Sequence, residues 1–443
     1  MMKDRGTTIV KDRRDFLEDY FKKYPEAPKE MIIKLDLLTS GVWFSEAAMD
    51  DFDRGNYIQK SYRLFSWDSI KLTDGRRRQQ VSWPEEFRLK GGIYKLLPTV
   101  IQVRLNPDSP YVVDMVDGRR RLCVNSQAIA DVEYREKPPY YDLTFEDGTR
   151  YCDVAPNINW GSVLFVTVNR VCQFGSDEDR CKFCDINPTL KGLKAIGQYA
   201  RPSKKVEQVA EVARAIWEEE MTSPKQLACI NITGGAIVGK MDGLNEEDFY
   251  SQYVRAIKEK AGKDVYVFLE TIAQNKAIWR RWKEDGCDGV RPNIEVWGED
   301  LFNIICPGKA KAIGFWRWVQ LLIDAVDVFG GSSVQPVLVS GVEMCRPYGF
   351  KTVKEAVAHT LKGVNYLMGY GMCPRLVTWH IEAGAVLGDN TSPPLDYFIQ
   401  VNLGWHELWR KYNLPNPSGQ GPMGPGVTVI PHGVWMESSF YHR

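Results

Sequence analysis

Three cysteines lie close together in the chain and are the residues best suited to chemistry. Cys172, Cys181 and Cys184 have the spacing C-x8-C-x2-C. Clustered thiolates select zinc, copper(I) or an iron–sulfur cluster, whereas a closed structural zinc site needs four protein ligands. Three thiols without a nearby fourth therefore favour an iron–sulfur cluster in which one iron stays free to bind a small molecule.

Two other interpretations of these cysteines stay open. Cys152 could fold back and complete a zinc site, and the protein would then be a zinc-stabilised binding or scaffold protein. The chain could also be an iron–sulfur electron carrier, although electron transfer alone needs little enclosed volume. A zinc site completed by histidine is disfavoured because the nearest histidine in the sequence is His359.

The remaining cysteines of the second half of the chain are predicted to be small buried hydrophobic residues. They are Cys229, Cys287, Cys306, Cys345 and Cys373. Cys345 and Cys373 lie near the ends of predicted strands, so they are also candidates for thiol chemistry.

The composition is that of an ordinary globular protein. The chain has 443 residues, 44% of them hydrophobic, and its 57 Lys and Arg balance 57 Asp and Glu. A formal charge of zero gives no reason to expect a nucleic acid or a membrane surface as partner. The sequence contains no apolar run long enough to span a bilayer and no signal peptide at its start. It therefore predicts a cytoplasmic protein.

The chain changes character near residue 159. Residues 1–158 begin with a charged, helical region and continue through short strands separated by turns, which predicts an N-terminal α+β domain. The predicted strands in it include Thr99–Leu105, Tyr111–Val116 and Tyr141–Phe145. Residues 413–443 begin with a run rich in Pro and Gly, which predicts an extended C-terminal tail that acts as a strap or lid.

Residues 159–412 alternate six times between a strand and a helix. The predicted strands are Leu164–Val168, Leu227–Ile232, Val265–Glu270, Gly289–Trp297, Val334–Ser340 and Leu376–Ile381. Such alternation implies a parallel sheet covered by helices. Six units are too few for an eight-fold barrel, so the predicted fold is α/β, a partial (β/α)6 parallel barrel. In such barrels functional residues gather at the C-terminal ends of the strands, and the three cysteines follow the first strand.

The second predicted strand ends in Thr233-Gly234-Gly235. Glycines at this place let the backbone approach a ligand closely. The third strand ends in Glu270, whose carboxylate would point to the mouth of the barrel and could bind ribose hydroxyls.

Glu295 lies in the fourth predicted strand, where a buried carboxylate is costly unless it is paired. Arg291 shares its face by the two-residue period of a strand. The pair therefore has two interpretations, as cofactor contacts or as a structural ion pair between the two side chains.

Polar residues also follow the fifth and sixth predicted strands. Ser340, Glu343 and Arg346 follow strand five, and His380 and Glu382 lie at the end of strand six. Their positions make them candidates for substrate or cofactor contacts.

The chain resembles the radical S-adenosylmethionine superfamily over about residues 160–410. The resemblance rests on the cysteine triad with its Cys-Lys-Phe-Cys pair after the first strand, and on the Thr233-Gly234-Gly235 turn. The segments Gly286–Trp297 and Leu301–Lys309 look most like the biotin synthase, HydE and ThiH branch. The common superfamily spacing is C-x3-C-x2-C, so this chain carries a variant with a longer first gap.

The resemblance implies a 4Fe–4S cluster on Cys172, Cys181 and Cys184 with S-adenosylmethionine on the open iron. Reductive cleavage would give a 5′-deoxyadenosyl radical that takes a hydrogen from a small-molecule substrate. Such an oxygen-sensitive enzyme needs an external reductant, such as flavodoxin or ferredoxin.

The resemblance also implies which residues contact S-adenosylmethionine. Phe183 would lie near the adenine, and the backbone at Gly234 and Gly235 would receive the methionine ammonium. Thr233, Glu270, Arg291 and Glu295 would complete the cofactor site. Ala236 stands where the family usually has a glutamate, so the contact at this turn would come from the backbone alone.

Overall fold

The computed structural model describes residues 12–60, 83–195, 201–222, 227–421, 424 and 428–441, with side chains left out at 192–195, 220–222, 440 and 441. The first described part opens with helices α1 (Arg13–Lys23), α2 (Lys29–Ser40) and α3 (Glu46–Arg54), with strand β1 (Trp43–Phe44) before α3. The other strands of its sheet are β2 (Glu86–Gly91), β3 (Leu96–Gln102), β4 (Tyr111–Val116), β5 (Arg119–Val124) and β6 (Gln127–Tyr134).

These six strands form one sheet in the order β1-β4-β5-β6-β2-β3. The hairpin between β4 and β5 turns at Asp117-Gly118, where both residues have positive φ, as the common two-residue turn requires. Tyr141–Phe145 is not a strand, so that prediction is wrong. Pro139 instead begins a short 3-10 helix (Pro139–Asp142), and the buried Tyr140 hydroxyl donates to the Ala155 carbonyl at 2.8 Å.

The second part of the chain contains a sheet ordered β11-β10-β9-β8-β7 and a separate pair, β12 and β13. Its strands are β7 (Asn157–Ile158), β8 (Val163–Asn169), β9 (Cys229–Gly234), β10 (Val267–Glu270), β11 (Gly289–Val290), β12 (Val337–Ser340) and β13 (Arg375–Thr378). Strands β8 to β11 pair in parallel, and so do β12 and β13. Parallel bridges at Val290–Val334 and Glu295–Leu338 join the two sets.

The helices of this part precede, separate or follow the strands: α4 (Tyr151–Val154), α5 (Ile186–Ala195), α6 (Val206–Thr222), α7 (Glu246–Ala261), α8 (Lys276–Glu284), α9 (Glu299–Ile305), α10 (Pro307–Ala312), α11 (Phe315–Phe329), α12 (Val353–Gly369), α13 (Leu395–Lys411) and α14 (Val434–Tyr441). Asn245, Asn275 and Thr352 cap three of them with side-chain oxygens. The mixed α/β class with parallel strands is confirmed, whereas closure into a partial barrel and the domain boundaries near residues 158 and 412 stay predictions.

The fourth predicted strand, Gly289–Trp297, is much shorter than expected. β11 ends at Val290, two residues before Pro292, which has no N–H to donate to a neighbouring strand. Glu295 has a φ of 66°, outside the strand region. The chain from Arg291 to Trp297 therefore leaves the sheet and contacts β12 through a single bridge.

The C-terminal tail is not extended throughout, which corrects the prediction for residues 413–443. The Pro- and Gly-rich run is followed by α14, whose Glu437 is fully buried. Its carboxylate accepts from the Thr99 hydroxyl and the Val100 N–H, both at 2.9 Å, and lies 3.6 Å from the Lys34 ammonium. Burial with these partners holds the tail against β3, a contact that composition does not reveal.

None of the helices in the described ranges has both the length and the apolar character needed to cross a bilayer.

Candidate functional site

The three predicted cluster cysteines lie in the loop between β8 and α5. The backbone N–H of Cys172 donates to Asn187 Oδ1 at 2.9 Å, and Asn187 Nδ2 donates to the Cys172 carbonyl at 3.0 Å. The Cys184 N–H donates to the Cys181 carbonyl at 3.0 Å. These hydrogen bonds hold the loop in place, and all three cysteines are half-buried.

The glycine turn after β9 contacts this loop directly. The Gly235 N–H donates to the Asn169 carbonyl at 2.9 Å, and Asn169 Nδ2 donates back to the Gly235 carbonyl at 2.8 Å. The Gln173 N–H donates to the Ala236 carbonyl at 2.9 Å. The structure thus brings the first cysteine and the glycine turn together at the C-terminal ends of two neighbouring strands.

Both glycines are required by this close approach. A Cβ atom on Gly235 would lie 2.5 Å from the backbone N and Cα of Cys172. On Gly234 it would lie 2.8 Å from Asn169 Cβ and 2.9 Å from the Tyr250 hydroxyl. Any side chain at either position would push the cysteine loop away from β9.

A fourth thiol lies beside the triad. The Lys182 N–H donates to the Ile305 carbonyl at 2.8 Å, which places Cys181 next to the fully buried Cys306. A hydrogen bond from the Cys306 thiol lowers the pKa of Cys181, while burial raises the pKa of Cys306. Among the triad, Cys181 is therefore the thiol most readily held as a thiolate.

The other two thiols of the triad are stabilised in their neutral form. Burial, and then the neighbouring Cys181, raises the pKa of both Cys172 and Cys184. This mutual influence indicates that the three thiols lie near one another. Within the described ranges, no group of three His, Cys, Asp or Glu side chains is arranged to hold a single metal ion.

Glu295 pairs with a lysine rather than with Arg291. Lys309 Nζ lies 2.6 Å from Glu295 Oε1 and donates to the Asn293 carbonyl at 2.8 Å. The Glu295 carboxylate outweighs burial and raises the pKa of Lys309. The alternative interpretation, an Arg291–Glu295 ion pair, is wrong, because β11 ends before the two residues can share a strand face.

Arg291 turns instead toward the carboxylate at the end of β10. Arg291 Nη1 lies 3.3 Å from Glu270 Oε1 and also donates to Asn231 Oδ1. Its guanidinium lies 4.0 Å from the centre of the Phe268 ring. Glu270 pairs in register with Thr233, so this ion pair lies next to the glycine turn.

Phe183 and Thr233 flank the cysteines and the glycine turn. Phe183 belongs to the main hydrophobic core and is 8% exposed, which agrees with a packing role. Thr233 is half-buried at the end of β9.

The candidates after β12 do not join this site. Glu343 is buried and accepts from the Thr360 and Tyr397 hydroxyls and from the Gly341 N–H at 2.8 Å. Ser340 also contacts the Tyr397 hydroxyl, at 3.3 Å, so both residues tie β12 to α12 and α13. Arg346 is exposed and donates to the Phe350 carbonyl at 3.1 Å.

The candidates after β13 form a separate pair. His380 Nε2 lies 3.8 Å from Glu382 Oε1. Burial, and then the charges of Arg104 and Lys60, lowers the pKa of His380. Cys345 and Cys373 are buried, and burial raises their pKa values to about 11 and about 12, so neither thiol is activated.

Cys152 has different neighbours from the triad. Burial, and then Asp153, raises the pKa of Cys152, and its other charged neighbours are Arg150 and Lys137. No triad residue is among these influences. The structure gives no support for a zinc site that combines Cys152 with the triad.

Sequence reasoning missed the residues that position the cysteine loop. Asn169, Asn187 and Lys309 have no periodic or motif signal of their own. Cys306 was expected to be a buried hydrophobic residue, and it is buried, but its contact with Cys181 comes from a segment more than a hundred residues away. The Cys306-Pro-Gly-Lys309 segment, where Pro begins α10, was the available signal.

No protein-family model matches the chain. One curated relative, the bacteriochlorophyllide c C-7(1)-hydroxylase of Chlorobaculum limnaeum, is 25% identical over 133 residues. The match covers 30% of this chain and 30% of the relative, so the chain spans less than a third of that protein.

Three solved structures are similar at low scores. Methylornithine synthase has a TM-score of 0.40 at 14% identity, covering 60% of this chain and 71% of that one. HydG of Carboxydothermus hydrogenoformans has a TM-score of 0.39 at 14% identity, and the match covers 59% of this chain and 54% of that one. The structure of anSMEcpe with bound AdoMet has a TM-score of 0.35 at 11% identity, and the match covers 56% of this chain and 61% of that one. These relatives are radical S-adenosylmethionine enzymes, but similarity at this level carries no argument about the activity of this chain.

Proposed function

We propose that the chain is a radical S-adenosylmethionine enzyme whose 4Fe–4S cluster is held by Cys172, Cys181 and Cys184. The observation that carries the proposal is the contact between the cysteine loop and the glycine turn, where Gly235 lies against Cys172 with no room for a side chain. A triad of thiols beside a glycine turn, at the ends of neighbouring strands, is suited to a cofactor that binds both metal and protein. The particular branch, biotin synthase, HydE and ThiH, stays a prediction.

The donor set fits this cofactor. Three thiols from one protein loop can hold a cluster and leave one iron open, and thiolates are the ligands that iron–sulfur clusters prefer. When bound, the cluster would supply an electron, taken from a partner such as flavodoxin or ferredoxin, to cleave S-adenosylmethionine to a 5′-deoxyadenosyl radical. The hydrogen bond from Cys306 favours the thiolate that cluster binding needs at Cys181.

The protein's own residues would bind and orient S-adenosylmethionine. Gly234 is half-buried beside the cysteine loop, and its backbone would receive the methionine ammonium, whereas Gly235 is buried and bonded to Asn169 through both its N–H and its carbonyl. Thr233 and Glu270 end neighbouring strands in register and offer oxygens to hydroxyl or amino groups. The Arg291–Glu270 ion pair holds that carboxylate in place, while Lys309 holds Glu295 beside Cys181.

The test is made without oxygen on the full chain after reconstitution with iron and sulfide. The reduced protein is mixed with S-adenosylmethionine, and 5′-deoxyadenosine is measured by chromatography, with Cys181→Ala as the inactive variant and Cys373→Ala as the matched control. We expect deoxyadenosine from the wild type and the control only. A colourless protein that carries one zinc ion would show that the proposal is wrong. A cluster-loaded protein that never cleaves S-adenosylmethionine would indicate an electron carrier.

A further inference from the structure

The inner face of the parallel strands is distinct from the face that packs on the helices. Outward residues such as Ile232 and Leu269 join the main core, whereas Val163, Cys229 and Phe268 form a separate small cluster. Val339 of β12 and Val377 of β13 pair on the inner face and are half-exposed. The preceding residues, Leu338 and Leu376, pair on the outer face and are buried. Val339 and Val377 are therefore not fully covered on the inner face.

Two arginines share this inner face. Arg291 follows β11. Arg375 begins β13 opposite Val337, two residues before Val377, so it lies on the same strand face as Val377. Arg291 is well paired: it contacts Asn231 and Glu270, and Arg291 Nη2 lies 3.5 Å from Gln335 Oε1. Gln420 of the C-terminal tail donates to the same oxygen at 3.2 Å.

Arg375 is not paired in this way. It is 7% exposed, and its Nε has no hydrogen-bond partner among the residues that the structure describes. Buried donors without a partner in the described chain include Arg375 Nε, Arg291 Nε and Asn231 Nδ2. Burial, and then the charge of Arg291, lowers the pKa of Arg375 to about 9. Three unpaired donors thus belong to residues of one inner face.

The charges on this face do not balance. Arg291 and Arg375 carry two positive charges, and Glu270 is the one carboxylate that influences both in the described part of the chain. A buried charge without a partner is strongly unfavourable. One anionic group would neutralise the excess and supply the oxygen acceptors that a guanidinium binds in a bidentate manner.

We propose that this inner face is the subsite for an anionic group of the substrate, a carboxylate or a phosphate, anchored by Arg375. The proposal rests on the proposed function, since it assigns the substrate class of the same enzyme. Asn231 lies three residues before Gly234 on β9, which corresponds to about 10 Å along a strand. An anion held at Arg375 would therefore lie deep in the barrel, with the rest of the substrate directed toward the cysteine loop.

The experiment measures thermal unfolding of the reconstituted full chain at constant ionic strength, with sodium chloride replaced by sodium phosphate or by sodium propionate. For the wild type we expect one of these anions to raise Tm by about 1–3 °C at saturating concentration. Arg375→Met should have a Tm about 2–5 °C above the wild type in chloride, because the unpaired charge is gone. The same variant should no longer respond to either anion.

The control is Arg317→Met, which removes an exposed arginine of α11 and should keep the full anion response. The stronger of the two anions identifies the group as a phosphate or a carboxylate. A wild type that responds to neither anion, or an Arg375→Met that responds as the wild type does, would overturn the proposal. A strongly destabilised Arg375→Met would overturn it as well, since it would show that Arg375 is paired.

S-adenosylmethionine also carries a carboxylate, so its binding to the reconstituted proteins is measured by equilibrium dialysis. We expect Arg375→Met to bind it as the wild type does. Loss of binding in this variant would assign Arg375 to the cofactor and overturn the substrate subsite. The anion response does not depend on deoxyadenosine formation, so failure of the proposed function and failure of this subsite are distinguishable.

Discussion

Gly235 lies so close to Cys172 that a Cβ atom there would be 2.5 Å from the backbone N and Cα of the cysteine. The contact joins the end of β9 to the loop that follows β8, and two hydrogen bonds between Gly235 and Asn169 accompany it. The position of the first predicted cluster ligand therefore depends on the absence of a side chain in the neighbouring loop.

Gly235→Ala should lower cluster loading by moving Cys172 out of line with the other thiols. We expect at most about half of the wild-type iron and sulfide per chain after reconstitution, since a backbone clash costs at least about 1–3 kcal/mol. The matched control is Gly239→Ala in the same loop, where a Cβ atom would meet only Gln173 Oε1 at 3.5 Å. Equal loading of Gly235→Ala and the wild type would contradict the prediction.

Lys309→Met should destabilise the protein by about 3–5 kcal/mol, because it leaves the Glu295 carboxylate buried without its partner. The free energy of unfolding is measured in urea on the cluster-free chain. The double variant Lys309→Met with Glu295→Gln should recover part of the loss. Lys311→Met, which breaks the exposed pair with Asp179, should cost no more than about 1 kcal/mol. A small effect at Lys309 would indicate that Glu295 has other partners.

Glu246 should make stability fall as pH rises. Burial raises the pKa of its carboxyl from 4.5 to about 8, so the folded chain keeps a proton there that the unfolded chain loses. The contribution is complete below the unfolded pKa and is lost as pH rises toward 8, with a slope of about 1 kcal/mol per pH unit.

Urea unfolding of Glu246→Gln at several pH values between about 5 and 8 checks this prediction. The variant should lose the part of the pH dependence that belongs to this residue. Glu259→Gln, an exposed residue of the same helix, should keep the wild-type profile. Identical profiles for the wild type and Glu246→Gln would show that the carboxyl is already ionised in the folded state.

Cys306→Ala should make the cluster harder to reduce. The Cys306 thiol hydrogen-bonds to Cys181, and hydrogen bonds to cluster sulfurs favour the more negative, reduced state. A redox titration followed by electron paramagnetic resonance should give Cys306→Ala a lower midpoint potential than the wild type. The control variant Cys287→Ala should keep the wild-type potential. A higher or equal potential would contradict this role, and complete loss of the cluster would make Cys306 a ligand instead.

Local pattern was sufficient for the parts of the fold that depend on nearby residues. Period-two and period-3.6 spacing predicted the alternation of strands and helices, and β8 (Val163–Asn169) contains the predicted strand Leu164–Val168. Pattern failed where a single proline changed an element, because Pro292 ends the fourth strand early and Pro139 begins a short 3-10 helix in place of a predicted strand.

The sequence alone determined the three cysteines, their spacing and the glycine turn, because these are short motifs whose chemistry needs no partner from elsewhere. Only the tertiary structure decided that Glu295 pairs with Lys309, that Arg291 pairs with Glu270, and that Cys306 contacts Cys181. Each of these contacts joins different strands or loops. Such pairings depend on how the strands are registered and where each one ends, and no local periodicity encodes that geometry.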